Sequence, residues 1–410
     1  MRGFAERADV EDVLGWLRAQ TKPLAAEEVE LLECVGRVLA EDVSAAVDVP
    51  GFPRSAMDGY AIRGEESFGA SDYDPISFEV VGQSLPGAPF DAEVAAGQAV
   101  RIMTGAPIPQ GVDAVVMAEV CEEADGRVTV SEAVAPRKNV GVVGEDIRRG
   151  DQVLRAGRRL RPQDAGLLSS IGRSRVACVR RPKVGLVVTG DELLPAGSQP
   201  AGSQIVDSNS VVLRALVARD GGESLPFEIL PDDPETIRSA MSEGSADVVL
   251  VSGGSSVGQE DHAPRLLAEL GSLDFHGISM RPSSPTGMGR IGDRFVFLLP
   301  GNPVSCMAAY EFFAGPTLRA LGGRSREWPH RRARLPLARK IASAIGRTDY
   351  VRVAVEDGRA LPIGTSGASI LSSTVRALGA VVVAREHEGM PEGEEVEVLL
   401  YDDELAEEAQ

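Results

Sequence analysis

Between Arg181 and Gly323 three apolar runs, "VGLVVTG", "DVVLVSGG" and "RFVFLLPGN", each end in a glycine-bearing loop. A strand apolar at every position has no face to offer water. Runs of this kind belong to parallel strands covered by helices on both sides. Between them lie "DSNSVVLRALVARDGG" and "EDHAPRLLAELG", each with a polar start, helical apolar spacing and a terminal glycine. An open doubly wound α/β sheet over residues 181–323 follows. In such a sheet, ligands bind beyond the carboxyl ends of the strands.

The 410 residues, 43% of them hydrophobic, are enough for roughly two to four domains. Ala8 to Gln20 reads as an amphipathic helix, with Val10, Val13, Leu14, Trp16 and Leu17 at helical spacing and Pro23 beyond its end. From Val47 to about Val140 short β-like runs alternate with glycine and proline, and Asp125-Gly126 is a strong hairpin signal. This stretch, 47–140, is expected to be a mainly β domain. Residues 1–46 and 141–180 are expected to join as one discontinuous linking domain. After "GGRSREWPHRR" strands return in "DYVRVAVEDGRALPI", "GAVVVAREHEG" and "GEEVEVLLY", which predicts a small C-terminal β domain over 328–405.

A formal charge of -19 disfavours long-range attraction to nucleic acid or an anionic membrane, so an anionic ligand must be captured locally. Arginine supplies most of the cations; lysine occurs only at Lys22, Lys138, Lys183 and Lys340. The four cysteines, Cys34, Cys121, Cys178 and Cys306, form no CxxC pair and signal neither a zinc site nor a disulfide framework. No apolar run approaches the ~20 residues of a membrane span, and the first residues lack an apolar secretory core. These features predict a soluble, cytoplasmic protein with reduced thiols.

Three loops leave the expected strand ends: Thr189 to Leu193, Ser252 to Asp261 and Leu299 to Ser305. Glycine lets backbone N–H groups approach an anion closely, and Pro303 suits the first turn of a helix after Asn302. Asp191, Glu192, Asp247, Glu260 and Asp261 would surround a phosphate-friendly loop with acids. That arrangement repels a bare anion and suits one carrying Mg²⁺. Tight strand-to-helix turns, with acids favoured at helix starts, account for the same residues without a ligand. In "MRPSSPTGMGRIGD", Arg281 is the cation expected nearest the ligand. In the β domain "GFPRSAMDGYAI" and "RIMTGAP" place Arg54, Ser55, Asp58 and Thr104 in turn-rich contexts that turn chemistry alone also explains. His262, His276, His330 and His387 have no partners at ligand spacing, which argues against zinc and serine-hydrolase chemistry.

Taken in order, "PRSAMDGYA", "RIMTGAPIP", "GEDIRRGD", "TGDEL", "SGGSSVGQED" and "LPGNPVS" resemble the MoeA family of molybdopterin molybdenumtransferases and the E domain of gephyrin. The resemblance covers nearly the whole chain. It implies an α/β plus β multidomain subunit of four domains. These comprise a MogA-like, molybdopterin-binding parallel sheet, a mainly β domain inserted near the N-terminus and a small C-terminal β-barrel. It further implies a homodimer whose active cleft lies between the α/β domain of one subunit and the β domain of the other. The implied reaction binds adenylylated molybdopterin, cleaves its phosphoanhydride with Mg²⁺ to release AMP, and delivers molybdate to the dithiolene sulfurs. Molybdopterin adenylyltransferase and apo-molybdoenzymes are the implied protein partners.

Carried over residue by residue, the resemblance makes Asp58, Thr104, Glu192, Asp247 and Asp261 catalytic, with Glu192, Asp247 and Asp261 organising magnesium. Thr189, Gly190, Asp191, Ser252, Gly253, Gly254, Ser256, Gly258, Pro300, Gly301, Asn302 and Pro303 become substrate contacts. Arg281, Ser284 and Pro285, with Arg352 of "GRTDYVRV", become the molybdate cradle. Two departures stand out. Where the family commonly reads KPGKP, this chain has Arg281, then Ser283 and Ser284 for Gly-Lys, so one cation is missing. "SSTVRALGA" also departs from the usual Ala-Asp-Gly pattern. A molybdopterin-binding carrier or scaffold without turnover, a tungstate-preferring homologue, and a hydrolase or adenylyltransferase sharing the α/β domain remain as alternatives.

Overall fold

In the computed structural model, residues 7–254, 261–364 and 367–401 are described. The chain forms two compact units: Glu28–Val35 with Leu39–Ala177, and Met1–Glu27 with Gly36–Val38 and Cys178–Gln410.

The smaller unit is built on a six-stranded sheet in the order Ala114–Met117, Gly59–Ile62, Gln98–Ile102, Ile76–Ser84, Arg127–Val130 and Cys121–Ala124. Asp125 and Gly126 connect the last two strands with φ of 53° and 74°, the left-handed pair of a type I′ hairpin. Tyr60, Ile62, Phe78, Val116 and Val128 pack its core. Gly59 answers a different need from the turn its sequence suggests. A Cβ there would sit 1.8 Å from Val116 O, so only glycine lets these strands pair.

In the larger unit, Lys183–Thr189 (β1), Val248–Ser252 (β2) and Arg294–Leu299 (β3) are adjacent parallel strands of a seven-stranded sheet. Their side chains alternate between two buried faces. Val184, Leu186, Val188, Leu250, Phe295 and Phe297 pack with Leu213 and Val217 of the helix Asn209–Arg219, whereas Val187, Val249, Val251, Val296 and Leu298 pack with Ile237, Met241, Leu266 and Leu267. Two-sided burial explains why these runs are apolar throughout.

The sheet departs from an all-parallel expectation at one edge. Gly287–Ile291 pairs antiparallel with β3, and Ser272–His276 pairs antiparallel with it in turn. Gly289 permits this: a Cβ there would lie 1.8 Å from Ser272 O.

The N-terminal helix, Val10–Gln20, also corrects an expectation. Rather than forming a linking domain with 141–180, its Val10, Val13 and Leu17 enter the α/β core, and Trp16 meets the edges of Phe275 and Phe295. The 3.6-residue apolar stripe found the sheet as its partner.

A six-stranded sheet follows, containing Arg331–Pro336, Thr348–Glu356, Arg359–Gly364, Gly379–Val383 and Glu395–Leu400, all paired antiparallel. Its sixth strand, Met280–Arg281, comes from the loop before Gly287 and runs parallel to the start of Thr348–Glu356. That pairing brings the Arg281 loop to the C-terminal sheet. Among the described residues no helix is long and apolar enough to cross a membrane.

Candidate active site

Ser252, the last residue of β2, pairs with Val188 on one side and Leu299 on the other. The loops after β1, β2 and β3 therefore leave the sheet at one level. Gly253 and Gly254 have φ of +105° and +54°. A Cβ on Gly253 would lie 2.6 Å from Thr189 O and 3.1 Å from Thr189 Oγ1, and one on Gly301 would lie 3.9 Å from Gly253 Cα. The loops thus come together through glycine. Asn209 ties them, donating from Nδ2 to Ser252 Oγ at 2.9 Å and to Gly301 O at 2.8 Å. Thr189 is buried, yet its Oγ1 has no hydrogen-bond partner among the described residues. A buried hydroxyl left in that state is costly unless a ligand or an ordered water completes it.

Beside the end of β1 opens a cavity of ≈ 1100 Å³. Gly190, Asp191, Asp207 and Ser210 contribute polar groups to its wall, and Phe227 and Ile229 apolar ones. Ser210 donates through its hydroxyl and, at 3.2 Å, its N–H to the buried Asp207 carboxylate. Asp191 accepts the Asp232 N–H at 3.3 Å, and Glu192 is exposed.

Asp247 corrects the acid cluster expected around the glycine turn. It precedes β2, while the turn follows β2's last residue, and the five residues between span roughly 16 Å at a strand's rise. Its carboxylate accepts Arg180 Nη1 at 2.9 Å, Arg180 Nη2 at 2.7 Å and the Lys183 N–H at 2.7 Å. The residue fastens the amino end of the sheet. Glu192, Asp247 and Asp261 consequently do not form the three-acid magnesium site expected, and among the described residues no group of three His, Cys, Asp or Glu could hold a metal ion. Ser256, Gly258 and Glu260 lie outside the described residues.

A second cavity, of ≈ 370 Å³, gathers Arg281, Ser284, Pro285, Pro300, Asn302 and Arg352. Gly301 and Pro303 flank Asn302 in the chain without lining it. Ser283 sits at φ +83°, buried, and donates from Oγ to Ser305 O at 2.5 Å. The Ser284 hydroxyl is buried without a hydrogen-bond partner among the described residues. Burial also holds Arg352 below the usual arginine range. Arg281 is ion-paired to the fully buried Asp349, which binds Arg347 as well.

In the smaller unit Asp58 and Thr104 form a pair. Asp58 Oδ1 accepts Thr104 Oγ1 at 2.7 Å and Thr104 N–H at 2.6 Å, and these bonds lower its pKa. Nearby, Arg54 and Glu145 pair at 2.7 Å beside a ≈ 320 Å³ cavity that Thr104 and Gly105 also line.

Sequence reasoning missed Asn209, Asp207, Arg347 and Asp349. In "DSNS" the asparagine reads as a helix cap, and in "GRTDYVRV" only Arg352 stood out.

Three family models match in chain order: the MoeA N-terminal region (domains I and II) over residues 8–172, a probable molybdopterin binding domain over 185–320, and the MoeA C-terminal region (domain IV) over 334–401. The chain belongs to the MoeA family. It is 35% identical over 388 residues to the molybdopterin molybdenumtransferase of Haemophilus influenzae, covering 92% of this chain and 94% of that one. The Staphylococcus aureus enzyme of the same name is 30% identical, covering 95% of this chain and 94% of its own. Two crystal structures of the molybdopterin biosynthesis MoeA protein of Pyrococcus horikoshii superpose with TM-scores of 0.82 and 0.76 at 33% identity, over 97% of this chain and all of theirs. Membership makes this protein an enzyme of the molybdenumtransferase class, acting in molybdenum cofactor biosynthesis.

Proposed function

We propose that the protein inserts molybdenum from molybdate into adenylylated molybdopterin, with release of AMP. One observation carries this reading. The loop "PGN" serves two places at once: Gly301 O shares the Asn209 side chain with Ser252, the residue before the glycine turn, while Pro300 and Asn302 wall the arginine-lined cavity. A phosphate-bearing pterin at the turn and a tetrahedral oxyanion in the cavity would be neighbours.

The division of labour follows from the chemistry of each wall. Backbone N–H groups at Gly253 and Gly254 and the Thr189 hydroxyl suit the phosphoanhydride. The wide cavity beside β1 offers apolar surface for a base and polar groups at Asp207 and Ser210 for a ribose. Holding both reactants in fixed geometry supplies catalysis by proximity, and guanidinium groups stabilise negative charge as it redistributes. Asp58, its pKa lowered by the Thr104 hydrogen bonds, stays ionised near neutral pH; the bonds also make it a weaker base, so this reading assigns it charge and no proton transfer. Mg²⁺ was expected with the substrate, but the three acids named for it do not converge and no step is assigned to it. The same reading takes the protein as a cytoplasmic homodimer that receives its substrate from a molybdopterin adenylyltransferase and passes the cofactor to apo-molybdoenzymes.

The test is AMP release and cofactor formation by purified protein given adenylylated molybdopterin with molybdate or tungstate. Oxyanion-dependent release is expected. Tight binding without release would leave a carrier instead.

A further inference from the structure

We infer that the acidic segment 402–410 docks on its own chain, in a groove of the larger unit lined by Trp328, Arg18 and Arg326, and so keeps that groove closed to other acidic segments. The groove encloses ≈ 330 Å³ and shares no lining residue with the three cavities described above. Its apolar lining includes Leu14 and Leu17 of the N-terminal helix with Phe312 and Trp328, whose rings meet edge to face at 4.9 Å. Its charged lining is mostly cationic: Arg18, Arg326 and Arg332 against Glu327 alone.

Two of these arginines have no counter-ion. Arg18 is exposed and, among the described residues, makes no hydrogen bond or ion pair. Arg326 donates from Nη2 to Thr21 O at 3.1 Å, and burial followed by the neighbouring Arg18 charge lowers its pKa. Two cations near enough to repel are thus left uncompensated in a chain with a net charge of -19. Glu327 pairs with neither among the described residues, and Arg332 is taken by Glu397 at 3.3 Å. An apolar wall beside uncompensated guanidinium groups fits a segment that carries carboxylates around an apolar side chain.

The chain carries such a segment next to the groove. Residues 402–410, outside the described residues, read "DDELAEEAQ": Asp402, Asp403, Glu404, Glu407 and Glu408 surround Leu405, with no cation. Tyr401 precedes them. Its ring stands 5.7 Å from that of His330, which stands 6.1 Å from Trp328; its hydroxyl lies 2.8 Å from that of Tyr350, whose ring is 5.9 Å from Trp328. The strand direction agrees. Leu399 pairs with Arg332 and Leu400 with Arg331 in antiparallel register, so the chain reaching Tyr401 heads toward the segment that holds Trp328 and Arg326. The residues after Tyr401 can reach roughly 30 Å when extended, several times those ring spacings. A covalently linked segment has an effective concentration in the millimolar range, so weak ion pairs suffice to seat it.

Fluorescence anisotropy of a labelled synthetic peptide, residues 402–410, tests this on two full chains: the wild type, and one carrying Asp402→Asn, Asp403→Asn, Glu404→Gln, Glu407→Gln and Glu408→Gln. The neutralised segment should vacate the groove, and the peptide should bind that chain at least about tenfold more tightly than it binds the wild type. In the neutralised chain Arg18→Glu, at an exposed position, should cost on the order of tenfold in peptide affinity, Arg326→Gln should weaken it too, and about 1 M NaCl should remove most of it. Equal affinity for the two chains would mean that the wild-type groove stands open to acidic segments in trans, and the inference fails. It fails equally if the peptide does not bind the neutralised chain, or binds it as well after Arg18→Glu.

Discussion

The two ends of β2 carry opposite kinds of residue. At its amino end Asp247 has each oxygen matched by an Arg180 nitrogen, with a Lys183 N–H as well. At its carboxyl end two glycines hold left-handed backbone, and the neighbouring Thr189 hydroxyl is buried without a partner among the described residues. Saturated polar groups hold a fold together. Groups left unsatisfied where backbone has been brought unusually close are kept for something that binds.

Gly253→Val should give the largest effect at the carboxyl end. It forces a branched side chain into φ +105° and against Thr189 O, and displacing the turn by even ~1 Å is expected to cost on the order of a hundredfold in AMP release. At the other end, Asp247→Asn should lower stability by about 1–3 kcal/mol, read by denaturant titration, and leave AMP release per folded molecule within about twofold. Loss of release in a folded Asp247→Asn protein would break the comparison.

Asn209→Ala removes two hydrogen bonds that join the β2 and β3 loops. About 1–2 kcal/mol of stability and a several-fold rise in KM for the pterin substrate are expected. The smallest effect near neutral pH comes from the helical turn beyond the third loop. Burial pushes the Glu311 carboxyl up, but His330 and Arg219 outweigh it and bring the group down from 4.5 to about 2. The native state thus holds this carboxylate more tightly charged than the unfolded chain does. Its stabilisation is complete above about pH 4.5 and is lost as pH falls toward about 2. In Glu311→Gln the acid limb of a melting-temperature profile should flatten over that window.

Much of the larger unit was legible because β1, β2 and β3 bury both faces and leave continuous apolar runs. The hairpin at Asp125-Gly126 was legible for a local reason, since its two left-handed residues are the ones such a turn selects. Gly287–Ile291 was not, because its glycines read as loop while serving close backbone approach. Asp247 shows the limit for the site. Closeness in sequence to a glycine loop says little when a whole strand intervenes. Arg281 was singled out from its loop and Ser284 and Arg352 through family resemblance, and the fold brings the three to one cavity. Arg347 and Asp349 escaped because nothing in a linear string reveals a carboxylate buried between two guanidinium groups.

The account's central claim is that the carboxyl ends of β1, β2 and β3 bind the pterin substrate and the amino ends do not. The most direct measurement is the affinity of adenylylated molybdopterin for wild-type, Gly253→Val and Asp247→Asn proteins side by side, each verified as folded by its melting curve. The account predicts wild-type affinity in Asp247→Asn and a loss of at least about tenfold in Gly253→Val. Retained binding in Gly253→Val together with lost binding in a folded Asp247→Asn would contradict it.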